Sequence, residues 1–424
     1  MNHRRMLSRL AFALCYAVLA ALSMLHRDAV TLSTLFWPPV GLTLAALMLS
    51  PPRRWYGWMA LAGVLHVAAG MLVGQRPAAV ATVFAFTDIA YCAAVAALWR
   101  WRTRGANTLS SLSATLWFIA FVAAGSVAGG WAAALALHAI YPGSSMDHWY
   151  VWSMACFVGS MIVAPLVLAW VRFRWRGLAE QNVLALWVGL VAAFAMLAGT
   201  TIMFNDPPRA REFVWHDGFG MSYGPLLFLA IVALSWGAAG STLTVAGLAL
   251  VASSYTMSDM GPYANIAHFN GEPLLAVQGF LGCAALLSLI TTALAADRER
   301  ALQRTSALTF QLETALRTSG QVAWEFRLRD RDLYWLGRLP YGIAAAQAPM
   351  ALDDWLSHVH PEDQDRLRAW LNTGTESYAA RRLRFRVRGE DGEYRPVEMS
   401  GSAMAGVSDR MTGLMAIPGD ELVF

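Results

Sequence analysis

The chain has 424 residues, 57% of them hydrophobic and only 14% charged, with a mean hydropathy of +0.43. Soluble domains carry about 25% charged residues, so a wholly soluble globule is excluded. The formal net charge of +4 is too small for a nucleic-acid surface, and the 32 basic residues are all arginine, those before Asp297 clustering at the edges of apolar blocks.

In chain order, residues from Leu7 to about Ala296 form a succession of apolar blocks, and from Asp297 the sequence turns rich in Arg, Asp and Glu. That shift is the one clear domain boundary. The opening MNHRRMLSRLAFALCYAVLAALSML is basic and then apolar, like a signal peptide. A further apolar block follows after a short loop, so it reads as a retained first span. About ten blocks are predicted to span, at roughly 8–25, 34–50, 56–73, 78–99, 112–138, 150–171, 183–204, 223–236, 240–256 and 273–295. Blocks 34–50, 223–236 and 240–256 are short; pairing of two as re-entrant segments would give eight.

The second block, LFWPPVGLTLAALML, sets Trp37-Pro38-Pro39-Val40-Gly41 inside an apolar run. Proline in a helix interior removes a donor and clashes with the preceding turn, and lipid holds no water to repair the loss. At a helix start the cost falls, because the first N–H groups have no intrahelical partner there. The prolines are therefore expected at the outer start of the second span, as a plain helix start or as a broken entrance to a pocket. Trp37, Pro38, Pro39 and Gly41 are candidate ligand-sensing residues on the second reading.

Arginine placement orients the bundle. Arg4, Arg5, Arg9, Arg53, Arg54, Arg100, Arg102, Arg104, Arg172, Arg174 and Arg176 fall on one side, and only Arg27, Arg76, Arg209 and Arg211 on the other. Both termini are thus expected in the cytoplasm. The opposite loops, 139–150, 204–223 and 258–273, hold His148, His216, His268, Asp147, Asp217, Asp259 and Glu272. They show no ligand spacing such as HxxxH, and no metal is assigned to them. Cys15, Cys92, Cys156 and Cys283 lie far apart in apolar blocks without a CxxC pair, and are expected as buried small hydrophobes.

Inside the spans, Asp88 and His66 stand out. An intramembrane ionisable group costs a few kcal/mol and faces the bundle interior or a water-filled cavity. The alternative for each is a neutral, hydrogen-bonded structural role. Gln278 is a further candidate, or a helix–helix hydrogen bond. Trp37, Trp149, Trp152 and Trp215 are candidate pocket walls, although tryptophan is also the common interfacial anchor.

Four segments in order resemble the first type of bacterial membrane-associated sensor domain (MASE). They are LFWPPVGLTLAALML, HWYVWSMACFVGSMIVAPLVLAW (148–170), YGPLLFLAIVALSWGAAGST (223–242) and the run 260–300 that holds GPYANIAHFNGEP and LLAVQGFLG. The resemblance covers about residues 7–300. It implies an input module of a histidine kinase, cyclic-di-GMP synthase or phosphodiesterase. Many members carry Gly-Asp where this chain has Ala155-Cys156; if that acid takes part in sensing, this chain either senses differently or relies on Asp88.

Residues 297–319 are helical by composition, and Ala301, Thr305, Leu308, Leu312 and Ala315 form a short heptad seam. A parallel dimeric signalling helix is expected there. Residues 320–424 alternate as strands around the helical DDWLSHVHPEDQDRLRAWLNTG, with a hairpin turn at Asp391-Gly392. The order resembles a PAS domain. His358 and His360 invite a haem reading, but His360-Pro361-Glu362-Asp363 matches a helix start, with Pro in the first turn and acids at the positive end. No haem, flavin or other cofactor is assigned. The segment ends at Asp420 without the Asp-Ile-Thr-like exit, and no GGDEF, EAL, phospho-acceptor His box or ATP-binding glycine block occurs.

The expected architecture is mainly α: a polytopic bundle of eight to ten spans (1–296), a signalling helix (297–319) and an α+β PAS-like domain (320–424). The expected function is sensory input at a bacterial inner membrane, with no catalysis in this chain. Expected partners are membrane lipid, an unknown small-molecule ligand, a second copy through 297–319 and the PAS domain, and a separate effector. The alternative is a transporter or channel with a regulatory PAS domain.

Overall fold

The computed structural model describes residues 2–25, 34–103, 109, 111–142, 149–173, 182–205, 223–258, 260–263, 271–343, 349–374, 379–403 and 409–418. The loop residues Asp147, His148, Trp215, His216, Asp217, Asp259 and His268, and also Asp420, lie outside them. The chain divides into two compact units, Met1–Glu299 and Arg300–Phe424.

The first unit contains α1 (Asn2–Leu25), α2 (Pro38–Leu49), α3 (Trp55–Leu72), α4 (Ala78–Thr103), α5 (Leu112–Ile140), α6 (Trp149–Trp170), α7 (Val183–Phe204), α8 (Leu226–Met257) and the first part of α9 (Glu272–Ser319). Eight of these are long and apolar enough to cross a membrane, and α2 is the short exception. The bundle is thus a multi-pass membrane domain. α6 is its most buried long helix.

The three short predicted spans take specific forms. α2 has 12 residues, about 18 Å at 1.5 Å per residue, too short for a hydrocarbon core of about 30 Å. Blocks 223–236 and 240–256 belong to α8, whose helical geometry is interrupted at Gly237 (φ 62, ψ −157). That backbone conformation is open to glycine and strained for other residues. Pro225 packs on Gly199 and Trp236 on Gly189, so the first arm runs antiparallel to α7; Gly247 packs on Leu197, so the second runs parallel to it. The chain therefore reverses at Gly237. Trp236 Nε1 donates to Leu186 O at 3.2 Å and Trp170 Nε1 to Ala239 O at 3.0 Å, fixing the turn against α7 and α6.

The chain enters and leaves this bundle at one end. Arg9 of α1 lies against Gly57 near the start of α3. Asp297 Oδ2 of α9 accepts from Leu112 N, the first residue of α5, at 2.7 Å, an acid at the positive end of a helix. Cys92 and Cys156 are buried, but Cys15 and Cys283 are exposed on the outside of the bundle, contrary to the expectation of four buried thiols. Their helices carry small apolar residues on outward faces as well as inward ones, so burial was not readable from composition.

The second unit begins in the last turns of α9, where Leu302, Leu308, Phe310 and Leu312 are exposed. It continues with β1 (Val322–Arg327), β2 (Asp332–Leu336), β3 (Met350–Ala351), α10 (Leu352–Ser357), α11 (Pro361–Gly374), β4 (Arg381–Arg388), β5 (Tyr394–Ala403) and β6 (Arg410–Ala416). The antiparallel sheet has the order β3-β2-β1-β6-β5-β4. Alternating residues of the strands, including Trp324, Phe326, Phe385, Val387 and Met399, pack with Trp355, Leu367 and Trp370 of the helices into one core. This curled sheet is PAS-like. Gly392 (φ 82) closes the β4–β5 hairpin at the predicted position.

His360-Pro361-Glu362-Asp363 starts α11, with both acids in the first turn. Arg386 clamps them: its Nε lies 2.9 Å from Asp363 Oδ2 and its Nη2 2.8 Å from Glu362 Oε2. Hydrogen bonding from the Arg386 guanidinium holds both carboxyls below the usual carboxylate range and raises the arginine in turn.

Candidate functional site

The site is built where α2 begins. Pro38 and Pro39 take the first positions of α2, where their missing N–H groups cost little. Gly41 and Gly159 then permit a backbone-to-backbone approach of α2 to α6. A Cβ on Gly159 would sit 2.2 Å from Trp37 O, and one on Gly41 would sit 2.3 Å from Gly159 O. Trp37 N donates to Ala155 O at 3.1 Å, completing the join.

This places Trp37 against Asp88. Trp37 Nε1 donates to Asp88 Oδ2 at 2.7 Å. His66 Nδ1 lies 3.2 Å from the same oxygen, at ion-pair distance but without hydrogen-bond alignment. Cys156 Sγ donates to Oδ1 at 3.7 Å, ordinary for sulfur. Asp88 is only 4% exposed and His66 3%. A carboxylate in apolar surroundings is costly unless partnered, and these three side chains supply the partners.

Pro38 and Pro39 thus stand at a helix start, as the sequence suggested, but of a helix too short to span alone. Asp88 lies ten residues inside α4, about 15 Å from the helix end, and α2 starts level with it.

A small, half-open pocket adjoins this cluster. Among its lining residues are Thr34, His66, Arg76, Phe84, Asp88 and Trp152. Phe84 stacks with Trp152 at 6.3 Å, Trp37 packs on His66 at 5.1 Å, and the Arg76 guanidinium lies 4.7 Å from the Phe84 centroid. His66 Nε2 is buried with no hydrogen-bond partner among the described residues. Among those residues, no three His, Cys, Asp or Glu side chains converge to hold a metal ion.

Of the sequence candidates, Trp37, His66, Asp88 and Trp152 meet here, while Pro38, Pro39 and Gly41 shape the approach. Gln278 stands just outside. From α9 its Nε2 donates to Val151 O at 3.2 Å and to Thr34 O at 3.5 Å. Thr34, Arg76, Phe84 and Cys156 were not selected from sequence; only Cys156 carried a signal, as the residue in place of the related acid. Trp149 stacks on Trp131 at 4.9 Å instead of entering the pocket. His358 and His360 belong to the second unit, where His360 Nδ1 accepts from Glu362 N at 3.3 Å.

Comparison with known proteins agrees with this architecture. The MASE1 model matches residues 8–300, and the PAS fold model PAS_3 matches residues 340–415. No curated protein matches. Among solved structures, a sensory box histidine kinase/response regulator from Burkholderia thailandensis is similar at 20% identity over 25% of this chain and 81% of that one, with a TM-score of 0.19. With its buried Asp88 cluster set in a multi-pass bundle and the MASE1 match spanning that whole bundle, the chain belongs to the MASE1 family, followed by a PAS domain.

Proposed function

We propose that this chain is the sensory input module of a bacterial inner-membrane signalling protein, with both termini cytoplasmic. A small molecule or a membrane state biases the pocket around Asp88, and α9 carries the change to the PAS domain. The supporting observation is Gln278: it joins α9, the helix that leaves the bundle, to Val151 and Thr34 beside the pocket. A ligand acts only through different affinities for two states of this join.

The reading assigns no catalysis to these residues. Output comes from a cyclic-di-GMP enzyme or a histidine kinase, attached or separate, and the exposed Leu308 and Leu312 of α9 form the seam with a second copy. The test is a fusion of residues 1–424 to a diguanylate cyclase. Asp88→Asn should change product level several-fold at equal membrane abundance. Output indifferent to both Asp88→Asn and Pro39→Ala would end the sensing reading.

One observation favours a second reading. A short, proline-led helix beside a buried acid in a membrane bundle is also a transporter feature. Substrate uptake into proteoliposomes, abolished by Asp88→Asn, would establish that reading instead.

A further inference from the structure

The pocket combines features that select for charge. Its floor is the Asp88 carboxylate, and three of its walls are the rings of Trp37, Phe84 and Trp152. Ring faces carry negative potential and attract cations. One wall already carries a cation, Arg76, 4.7 Å from the Phe84 centroid. His66 adds directionality. Its Nδ1 lies 3.2 Å from Asp88 Oδ2 without hydrogen-bond alignment, both ring nitrogens are buried with no hydrogen-bond partner among the described residues, and a neutral imidazole that turns its N–H to the acid presents Nε2 as a bare acceptor. An unmet acceptor there calls for a donor.

We propose that the Asp88 pocket binds a small organic cation bearing an N–H donor, a primary ammonium on an apolar or aromatic body. The ammonium donates to His66 Nε2 within the field of Asp88, and its body lies against Trp37, Trp152 and Phe84. Arg76 competes for the same walls. The proposal rests on the reading of this pocket as the sensing site, and it adds the chemical class that the site takes.

The test uses the full chain in lipid nanodiscs and isothermal titration with three probes of one shape: phenethylamine, phenethyl alcohol and phenylacetate. Phenethylamine should bind saturably, with the alcohol and the acid at least about tenfold weaker. Asp88→Asn should weaken the amine by about tenfold or more, and Arg76→Gln should tighten it by removing the competing cation. Equal or tighter binding of the alcohol or the acid, no binding of any probe, or weakening by Arg76→Gln would overturn the proposal. If Asp88→Asn does not yield a folded chain, the probe series and Arg76→Gln decide. A changed output of the cyclase fusion in Asp88→Asn without amine binding refutes the cation class and leaves sensing standing. Amine binding with unchanged output refutes sensing and leaves the site standing.

Discussion

Gly159→Ala tests how the site is assembled. The added Cβ would lie 2.2 Å from Trp37 O and 2.6 Å from Trp37 C, both backbone atoms that no rotamer can move aside. Relief to ordinary contact requires the entrance of α2 to retreat by about 1 Å, and overpacking of this kind costs about 1–3 kcal/mol. The same retreat stretches the 2.7 Å Trp37–Asp88 bond beyond useful range. Leaving that buried pair unmade costs about 1–3 kcal/mol more, so a loss of about 2–6 kcal/mol is expected in all. The assay is SDS-titrated unfolding of the purified chain, with Gly279→Ala as control, because a Cβ at Gly279 meets nothing within 4 Å. Equal midpoints for the two variants would refute the close-approach argument.

Further outcomes follow from single contacts. Trp37→Phe keeps a ring but removes the donor to Asp88, and should cost about 1.5–3 kcal/mol in the same unfolding assay; an unchanged midpoint would contradict the bond. Gln278→Leu removes the donor to Val151 O and Thr34 O and should lower stability by about 1–3 kcal/mol, with faster amide exchange at the start of α6. In the second unit, Arg386 holds Asp363 and Glu362 below the usual carboxylate range. The stability they contribute is therefore present above about pH 4 and lost as pH falls through their lowered values. Arg386→Ala should lower amide protection of β4 at pH 7 and flatten its acid dependence; identical protection from pH 7 down to acid would refute the clamp.

Much of this was legible in the sequence because lipid makes certain residues conspicuous. An acid at Asp88, a histidine at His66 and a proline pair at Pro38-Pro39 each violate the apolar rule, and all prove to be at or beside one cluster. Their meeting was not legible. It depends on Gly41 and Gly159, which read locally as ordinary small residues of membrane helices, and on α2 ending before it could span. Cys156 was passed over as a small hydrophobe, yet its thiol lies on Asp88 at the position where related domains carry an acid. The reversal at Gly237 was present as two short apolar blocks, but nothing in composition separates a hairpin from two independent spans. Phe84 and Arg76 were invisible for another reason: aromatic and basic residues near a helix end are also what interfaces require.

The central claim is that the state of the Asp88 cluster reaches the helix that leaves the bundle. Hydrogen–deuterium exchange of the full chain in nanodiscs, wild type against Asp88→Asn, tests it directly. Altered exchange in peptides covering residues 297–319, beyond those around Trp37 and Cys156, is the predicted result. A change confined to the pocket, with 297–319 indistinguishable from wild type, would contradict it.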